Sequence, residues 1–198
     1  MAQRDFRIRP MTKADYPQAR AIYEHGLDSG HASFETSGPT WEEFAQKKLL
    51  KTCFVAVEKD NDEKVLGWVS GAPASSRSVY YGVVENSIYV GKDAVGRGIA
   101  GALMDKLIEV CNSLDYWSLH AWIFPENEGS KRLHESRGFE RVGTMHHMGR
   151  MTYGELKGQW RNVDLYERLL DKPEDYDPDN HTHETLDRLD HEDYAPET

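Results

Sequence analysis

The fold is decided by the stretch VGRGIAGAL, Val95–Leu103. It lies between a strand-like run, residues 86–90, and an apolar run that predicts a helix from Ile99 to about Asn112. Glycines at such a turn let the backbone approach a ligand, and the free N–H groups of the first helical turn favour an anion. The spacing alone allows two interpretations: a loop that binds a phosphate or pyrophosphate, or glycines that only make a tight turn.

The glycine pattern differs from two common nucleotide-binding loops. No Gly-Lys-Ser/Thr follows the glycines, as a Walker loop requires. The third glycine of a dinucleotide fingerprint falls on Gly101 by position only, and the apolar strand 117–124 lies where that fingerprint needs a ribose-binding acid. The sequence therefore points to an anion site of another kind.

Two segments in this order resemble the GNAT acetyltransferase superfamily. Residues 95–100 match its loop Gln/Arg-x-x-Gly-x-Gly/Ala at the last two fixed places, with Val95 where Gln or Arg is usual. Residues 127–139, NEGSKRLHESRGF, resemble its segment Asn-x-x-Ser…Leu-Tyr/His-Glu…Gly-Phe. The resemblance implies acetyl-coenzyme A as co-substrate and an α/β fold with a mixed, mostly antiparallel sheet flanked by helices.

A closer resemblance is to the branch that acetylates phosphinothricin and methionine sulfoximine. The segments that carry it are residues 32–36, 84–90, 133–135 and 158–160. That branch usually has His after the Glu of the second segment, where this chain has Asn86. The resemblance covers about residues 6–170 and implies a homodimer.

Charge divides the chain into two parts. Residues 171–198 hold eleven acids, two bases and three prolines, which leaves residues 1–170 with 23 acids and 22 bases. We therefore expect one acetyltransferase domain at residues 1–170 and an acidic, largely disordered tail at 171–198. A nearly neutral domain without a basic face predicts no nucleic-acid partner.

Other classes of protein are disfavoured by what the sequence lacks. It has no apolar run near 20 residues, so we expect no membrane span, and no apolar signal core near its start, so we expect a cytoplasmic protein. Cys53 and Cys111 lie in apolar settings and the nine histidines are scattered, so we expect reduced thiols and no metal.

Hydrophobic patterns predict the order of the elements. Strands are expected at 6–9, 54–57, 65–71, 81–90, 117–124, about 139–147 and about 160–168. Helices are expected at 12–27, with Thr12 as N-cap, from Thr40 to about Leu50, at 99–112 and at 130–137.

Acetyl transfer to an amine needs a group that removes a proton from the ammonium. Glu85 is the candidate base, because it is an acid inside an apolar strand and the resemblance places the catalytic Glu there. An outward-facing Glu85 is the alternative. His134 is the candidate acid for the leaving thiolate, by resemblance, and a histidine that only packs beside Phe139 is the alternative.

The expected coenzyme contacts follow from the resemblance. Backbone groups near Tyr89 and Val90 are expected to pair with the pantetheine arm, Asn127 to hydrogen-bond it, and the glycine loop to bind the pyrophosphate. The predicted set is Tyr89, Val90, Val95, Gly96, Arg97, Gly98, Ile99, Ala100, Asn127 and Ser130. Helix capping is the alternative role for Asn127 and Ser130.

The candidate residues for the acyl acceptor are Phe34, Glu35, Arg77, Ser78 and Tyr81. An Arg binds a substrate carboxylate through a bidentate pair, and Arg77 lies in the loop before the strand that carries Glu85. Phe34 is expected to be part of a lid, and Trp160 is a weaker candidate for a wall of the pocket.

The predicted function is an acetyl-CoA-dependent N-acetyltransferase for the α-amino group of a small amino acid or analogue. An enzyme acting on a protein N-terminus or a lysine is one alternative, and it would need an open groove. A non-catalytic regulator that binds acyl-CoA is the other, and the presence of both Glu85 and His134 argues against it.

Overall fold

The computed structural model describes residues 5–174 and 176–177 of the 198. The strands in this part are β1 Phe6–Pro10, β2 Leu49–Glu58, β3 Asn61–Pro73, β4 Val83–Val90, β5 Ser118–Ile123, β6 Glu140–Arg150 and β7 Trp160–Leu169. The α-helices are α1 Tyr16–Leu27, α2 Trp41–Lys47, α3 Ile99–Ser113 and α4 Glu128–Glu135.

The strands form one sheet in the order β1-β2-β3-β4-β5-β7-β6. All neighbouring pairs are antiparallel except β4 and β5, which run parallel. The predicted mixed and mostly antiparallel sheet is therefore confirmed. The parallel pair lies at the middle of the sheet, with α3 as the connection between its two strands.

Two helix starts follow the capping signals in the sequence. The carboxylate of Asp15 accepts from the backbone N–H of Thr12 at 2.8 Å, just before α1. The hydroxyl of Thr40 accepts from the N–H of Glu43, whose carboxylate accepts from the N–H of Thr40 at 2.7 Å. These reciprocal bonds satisfy N–H groups that a helix start leaves without partners.

The sheet separates two apolar layers. On one face α3 packs mainly against β2, β3 and β4, and its Leu103 and Leu107 belong to a core cluster in which Val84 and Leu119 are fully buried. On the other face α1 and α2 cover an aromatic cluster that includes Trp68. Residues of β4 alternate between these layers because successive side chains of a strand point to opposite faces.

Helix α2 is shorter than the sequence predicts. It ends at Lys47, and Lys48 has extended backbone angles, φ −107° and ψ 149°. Leu49 already belongs to β2 and pairs with Gly71 of β3. Strand pairing therefore outweighs the local preference of the Lys-Lys-Leu-Leu run for helix.

The start of the acidic segment contacts the domain. Tyr176 packs edge-on against Trp117, with ring centroids 4.7 Å apart, and its hydroxyl donates to the carbonyl of Ser78. The expected boundary at residue 170 is thus followed by a short segment that is still in contact. Residues 175 and 178–198 of the expected tail lie outside the described residues. Within those that are described, no helix is long and apolar enough to cross a membrane.

Candidate active site

The central feature of the site is the separation of β4 from β5. The two strands pair only from Val83–Ser118 to Glu85–His120, although β4 continues to Val90 and β5 to Ile123. Each strand keeps its other neighbour, since β4 pairs with β3 through Val90 and β5 pairs with β7 through Ile123. Beyond Glu85 the two facing strand edges are therefore open and frame a groove.

The groove has a volume of about 1250 Å³. Its floor is formed by the separating strands, and its walls come from α1, α2, the loop between them and the start of α4. The predicted residues that line it are Phe34, Glu35, Glu85, Tyr89, Val90, Val95, Ala100, Asn127, Ser130 and His134. Residues from four separate segments of the chain are thus brought together.

Glu85 lies where β4 and β5 part. It is half-buried and lines the groove, so its side chain does not face open solvent as the alternative interpretation required. It shares a face of β4 with Ser87 and Tyr89, which also line the groove. A carboxylate is therefore present at the narrow end of the open strand edges.

His134 is buried on α4, with 2 % of its surface exposed. Its Nδ1 lies 2.8 Å from the carbonyl oxygen of Ser130, and its Nε2 lies 3.0 Å from Oδ1 of Asn86. Burial lowers the pKa of His134, and the hydrogen bond to Ser130 opposes this shift. The ring also packs edge-on against Phe139, as the alternative interpretation expected, with centroids 4.9 Å apart.

Asn86 joins the two strands at the point where they separate. Its Nδ2 donates to the carbonyl of His120 on β5 at 2.8 Å, while its Oδ1 meets His134. Asn86 is 7 % exposed, so both of its polar atoms need partners and have them. The sequence marked this position only as a departure from the related branch, and its bridging role was missed.

The glycine loop has the backbone conformation that its sequence requires. Gly96 has φ +85° and Gly98 has φ +77°, in the left-handed region that side chains disfavour. A Cβ placed on either glycine would meet no protein atom within 4 Å. The loop therefore presents bare backbone to open space at the start of the fifteen-residue helix α3, as an anion site requires.

Two residues of this loop turn away from the groove. The guanidinium of Arg97 pairs with Glu58 at 2.7 Å and with Asp5 at 2.8 Å, which raises the pKa of Arg97. The side chain of Ile99 lies in the core and is 1 % exposed. The predicted coenzyme contacts of Arg97 and Ile99 therefore rest on their backbone groups, together with those of Gly96 and Gly98.

The loop between α1 and α2 lies over one end of the groove and is held there by side-chain contacts. Phe34 packs edge-on against Phe124, with centroids 4.9 Å apart, so this aromatic ring is anchored at one side. Asn127 donates to the carbonyl of His31 at 3.1 Å and caps α4 by accepting from the N–H of Ser130. The capping alternative for Asn127 is therefore confirmed, and its amide also holds the loop.

A buried arginine also holds the loop between α1 and α2. Arg161 of β7 is 5 % exposed and donates to the carbonyl of Gly30 and to Glu126, each at 3.0 Å. Its guanidinium also lies 4.3 Å from the ring centroid of Phe124. Charge-assisted bonds to a buried guanidinium are among the stronger contacts in proteins, so the loop that carries Phe34 is held firmly at Gly30 and His31.

The predicted acceptor residues before β4 lie elsewhere. Arg77, Ser78 and Tyr81 do not line the groove. The guanidinium of Arg77 lies over the ring of Tyr80, and Tyr81 is 1 % exposed in the core beside Tyr116. The prediction was wrong for Tyr81, because the chain turns inward at a short 3-10 helix, Ser78–Tyr80, before β4 begins. Trp160 is exposed on β7 and does not line the groove.

Lys48 is the groove residue that the sequence missed. It follows α2, lines the groove and donates from Nζ to Oγ of Ser87 at 3.0 Å. A helix continuing to Leu50 would have carried Lys48 on a different path. No local signal identifies it, since the position depends on where α2 ends and β2 begins.

Comparison with known proteins decides the family. The model of the Acetyltransferase (GNAT) family matches residues 15–139, more than half of the chain. This chain belongs to the GNAT acetyltransferase family. The open edges of β4 and β5 and the glycine loop at α3 are the parts of this GNAT fold that form the groove, and the chain is an N-acetyltransferase.

Two relatives within the GNAT family and one crystal structure resemble this chain over most of its length. The chain is 30% identical over 166 residues to a phosphinothricin N-acetyltransferase of Alcaligenes faecalis, covering 82% of each protein. It is 30% identical over 167 residues to an L-methionine sulfoximine/L-methionine sulfone acetyltransferase of Pseudomonas aeruginosa, covering 83% of this chain and 94% of the relative. The crystal structure of a phosphinothricin acetyltransferase from Sinorhizobium meliloti in complex with AcCoA matches with a TM-score of 0.74 at 26% identity, over 89% of this chain and 97% of the other.

Proposed function

We propose that this protein transfers an acetyl group from acetyl-coenzyme A to the α-amino group of a small amino acid or amino-acid analogue. The observation that carries the proposal is the position of Glu85, at the point where two strand edges open into a groove. One end of that groove leads to the glycine loop and the other to the loop that carries Phe34.

The groove suits the shape and chemistry of the donor. Pantetheine carries amides, and these can pair with the open edge of β4 beyond Glu85 in the way an added strand does. The bare backbone at Gly96 and Gly98 suits the pyrophosphate, because N–H groups and the helix dipole favour an anion there. When bound, the thioester supplies an activated acetyl group.

Glu85 is proposed as the base. Amines are mostly protonated near pH 7, so attack on the acetyl carbonyl requires loss of a proton from the ammonium, directly or through a water. A half-buried carboxylate at the narrow end of the groove can accept that proton. A free backbone N–H near Tyr89 or Val90 is proposed to hold the acetyl carbonyl as it gains negative charge.

His134 is proposed as a positioning residue in preference to an acid for the leaving thiolate. Its two ring nitrogens are both occupied, by Ser130 and by Asn86. Direct protonation of the departing thiolate would require the bond to Asn86 to break. His134 bonds to Asn86, and Asn86 bonds to β5 where the two strands separate. His134 thereby fixes the backbone of β4 at this place and orients Glu85, the residue before Asn86.

The proposed class of acceptor rests on the relatives and on the enclosed end of the groove. The names of the relatives specify phosphinothricin, methionine sulfoximine and methionine sulfone, which are small α-amino acids with a polar side-chain end. The fastened loop with Phe34 and Glu35 covers this end of the groove. A covered end favours a small acceptor over a protein chain.

A homodimer is also proposed. Exposed apolar side chains lie along the hairpin of β6 and β7, where Val142 and Trp160 are each 60% exposed and Met148 is 50% exposed. Burying such a surface against a second copy would stabilise an assembly. Light scattering should give the mass of two chains, and charged substitutions of Val142 and Met148 should return it to the mass of one.

The function is tested by acetyl-CoA consumption across a panel of acceptors. The panel should contain common amino acids, their sulfone, sulfoximine and phosphinate analogues, a lysine-containing peptide and a peptide with a free N-terminus. We expect the highest kcat/KM for one of the free amino acids or analogues. A peptide as the preferred acceptor, or release of no coenzyme A with any amine, would contradict the proposal.

A further inference from the structure

A lysine in the groove has an incomplete set of partners. The ammonium of Lys48 can donate three hydrogen bonds, and within the described part of the chain it donates one, to the hydroxyl of Ser87. Among residues 5–174 and 176–177, no carboxylate lies within ion-pair distance of Lys48 Nζ. A cation held by one neutral hydroxyl retains capacity for an anion.

The surroundings of Lys48 make an incompletely paired ammonium unfavourable for the free energy of folding, which suggests that Lys48 has a functional role. The residue is half-buried, and the crowding of protein around its ammonium lowers the pKa of Lys48, while the nearby carboxylate of Glu85 partly offsets the effect. Removing a charge from water without full pairing is unfavourable. A lysine that only covered apolar surface would keep its ammonium in solvent.

The strand beneath Lys48 is polar as well. Ser70 of β3 lies opposite Ser87 of β4 in the register of the sheet, so the two side chains share a face. The hydroxyl of Ser70 is buried and has no hydrogen-bond partner in the described part of the chain. Lys48, Ser87 and Ser70 thus form a polar corner inside an otherwise aromatic wall.

The spacing of Ser87 and Glu85 along β4 suits an α-amino acid held between Lys48 and Glu85. Ser87, which holds Lys48, is two residues from Glu85 on the same face of β4, and that spacing corresponds to roughly 6.5–7 Å along a strand. The amine and the carboxylate of an α-amino acid are both attached to its Cα, and each can add a hydrogen bond of about 2.8 Å. One such molecule can therefore reach Glu85 with its ammonium and Lys48 with its carboxylate.

We propose that Lys48 binds the α-carboxylate of the acceptor and that the substrate is held between Lys48 and Glu85. This inference rests on the proposed function, since it assigns a specificity residue to the same site. It gives to a residue after α2 the role that the sequence had suggested for Arg77. An ammonium at this place selects acceptors that carry an anion next to the amine over simple amines.

The test compares two acceptors that differ in one charge. The first is the best amino-acid acceptor of the wild-type protein, and the second is its α-carboxamide, which keeps the amine and the side chain. The variants are Lys48→Met and Lys48→Gln, of which the second can still donate to Ser87. Lys157→Met is the control, because it removes the same charge from an exposed position that does not line the groove.

The expected result is a loss that depends on the carboxylate. For the amino acid, kcat/KM should fall by about 10- to 100-fold in both Lys48 variants, mainly through KM, as expected for one lost hydrogen bond to a charged group. For the carboxamide, the change should stay below about threefold. Lys48→Arg should restore most of the preference, and Lys157→Met should change kcat/KM for neither acceptor.

Three outcomes would overturn the inference in different ways. Equal losses with both acceptors would show that Lys48 supports Glu85 or the fold, and acetyl-CoA affinity and melting temperature would separate those two cases. If Lys48→Gln still preferred the amino acid over the carboxamide to the same degree, the assignment of Lys48 would be rejected. The proposed function would remain intact. A wild-type protein that acetylates other amines but no amino acid would reject the proposed function itself.

Discussion

His134 Nε2 lies 3.0 Å from Oδ1 of Asn86, and this contact faces the groove where β4 leaves β5. The other ring nitrogen meets the carbonyl of Ser130. Both oxygens can only accept, so each hydrogen bond requires a proton on the ring nitrogen. The imidazolium would satisfy both, whereas burial favours the neutral ring and lowers the pKa of His134.

This conflict predicts a dependence of stability on pH. Because the pKa of His134 is lower in the folded state than the usual value, the unfolded chain binds more protons at pH values between the two. Stability should therefore fall as the pH drops below about 6.5 toward the folded pKa. Urea unfolding at pH 5.5 and 7.5 measures this. His134→Gln should flatten the dependence and His146→Gln, at an exposed position, should not; an unchanged slope in His134→Gln would reject the assignment.

Asn86→Asp should reverse the sign of that dependence. A carboxylate facing Nε2 favours the imidazolium and raises the pKa of His134. If the folded pKa rises above the unfolded value, the added stability is present at low pH and is lost as the pH rises through the folded pKa. An NMR titration of the His134 ring should give a higher pKa in the variant than in the wild type. A lower or equal value would mean that the contact with residue 86 is not formed.

A single methyl group added to the glycine loop should weaken acetyl-CoA binding. Gly98→Ala is expected to weaken acetyl-CoA binding by about 10- to 100-fold, because the Cβ would stand where the pyrophosphate meets backbone N–H groups. Gly154→Ala is a matched control, since Gly154 also has positive φ, +65°, and open space around its Cβ but lies far along the chain from the loop that precedes α3. Calorimetric titration of both variants checks this. Equal effects of the two substitutions would attribute the loss to backbone strain and not to the ligand.

The first residues of the acidic segment should contribute to stability. Tyr176→Ala removes an aromatic pair with Trp117 and should cost about 1 kcal/mol, which lowers the melting temperature by roughly 2–4 °C. Truncation after Leu170 should cost as much, and truncation after Asp177 should change stability by less than about 0.5 kcal/mol. A large loss on truncation after Asp177 would show that the remaining acidic residues also bind the domain.

The sequence predicts best those parts of the site whose signals are local. The glycines at 96 and 98 need positive φ, and the Thr40–Glu43 pair marks a helix start, so both could be inferred from neighbouring residues alone. Glu85, which lines the groove, was selected because an acid inside an apolar strand is unusual and because the resemblance places the catalytic Glu there. In each case the physical cause lies within a few residues of the feature.

The parts that failed depend on contacts between distant segments. Arg77 has suitable chemistry for a carboxylate, but the path of its loop is set by the burial of Tyr81 against Tyr116. Lys48 enters the groove because Leu49 pairs with Gly71 and ends the preceding helix early. Asn86 gains its role from His120 and His134, which lie 34 and 48 residues further along the chain.

The most direct test of the account is the pH–rate profile of Glu85→Gln. The substitution keeps the shape of the side chain and removes the base, so kcat/KM near pH 7 should fall by about 100- to 10,000-fold while acetyl-CoA affinity stays nearly constant. Higher pH should partly restore the rate of the variant, because more of the substrate amine is then neutral. A raised KM with kcat preserved and no rescue at high pH would contradict the account, since Glu85 would then only bind the ammonium.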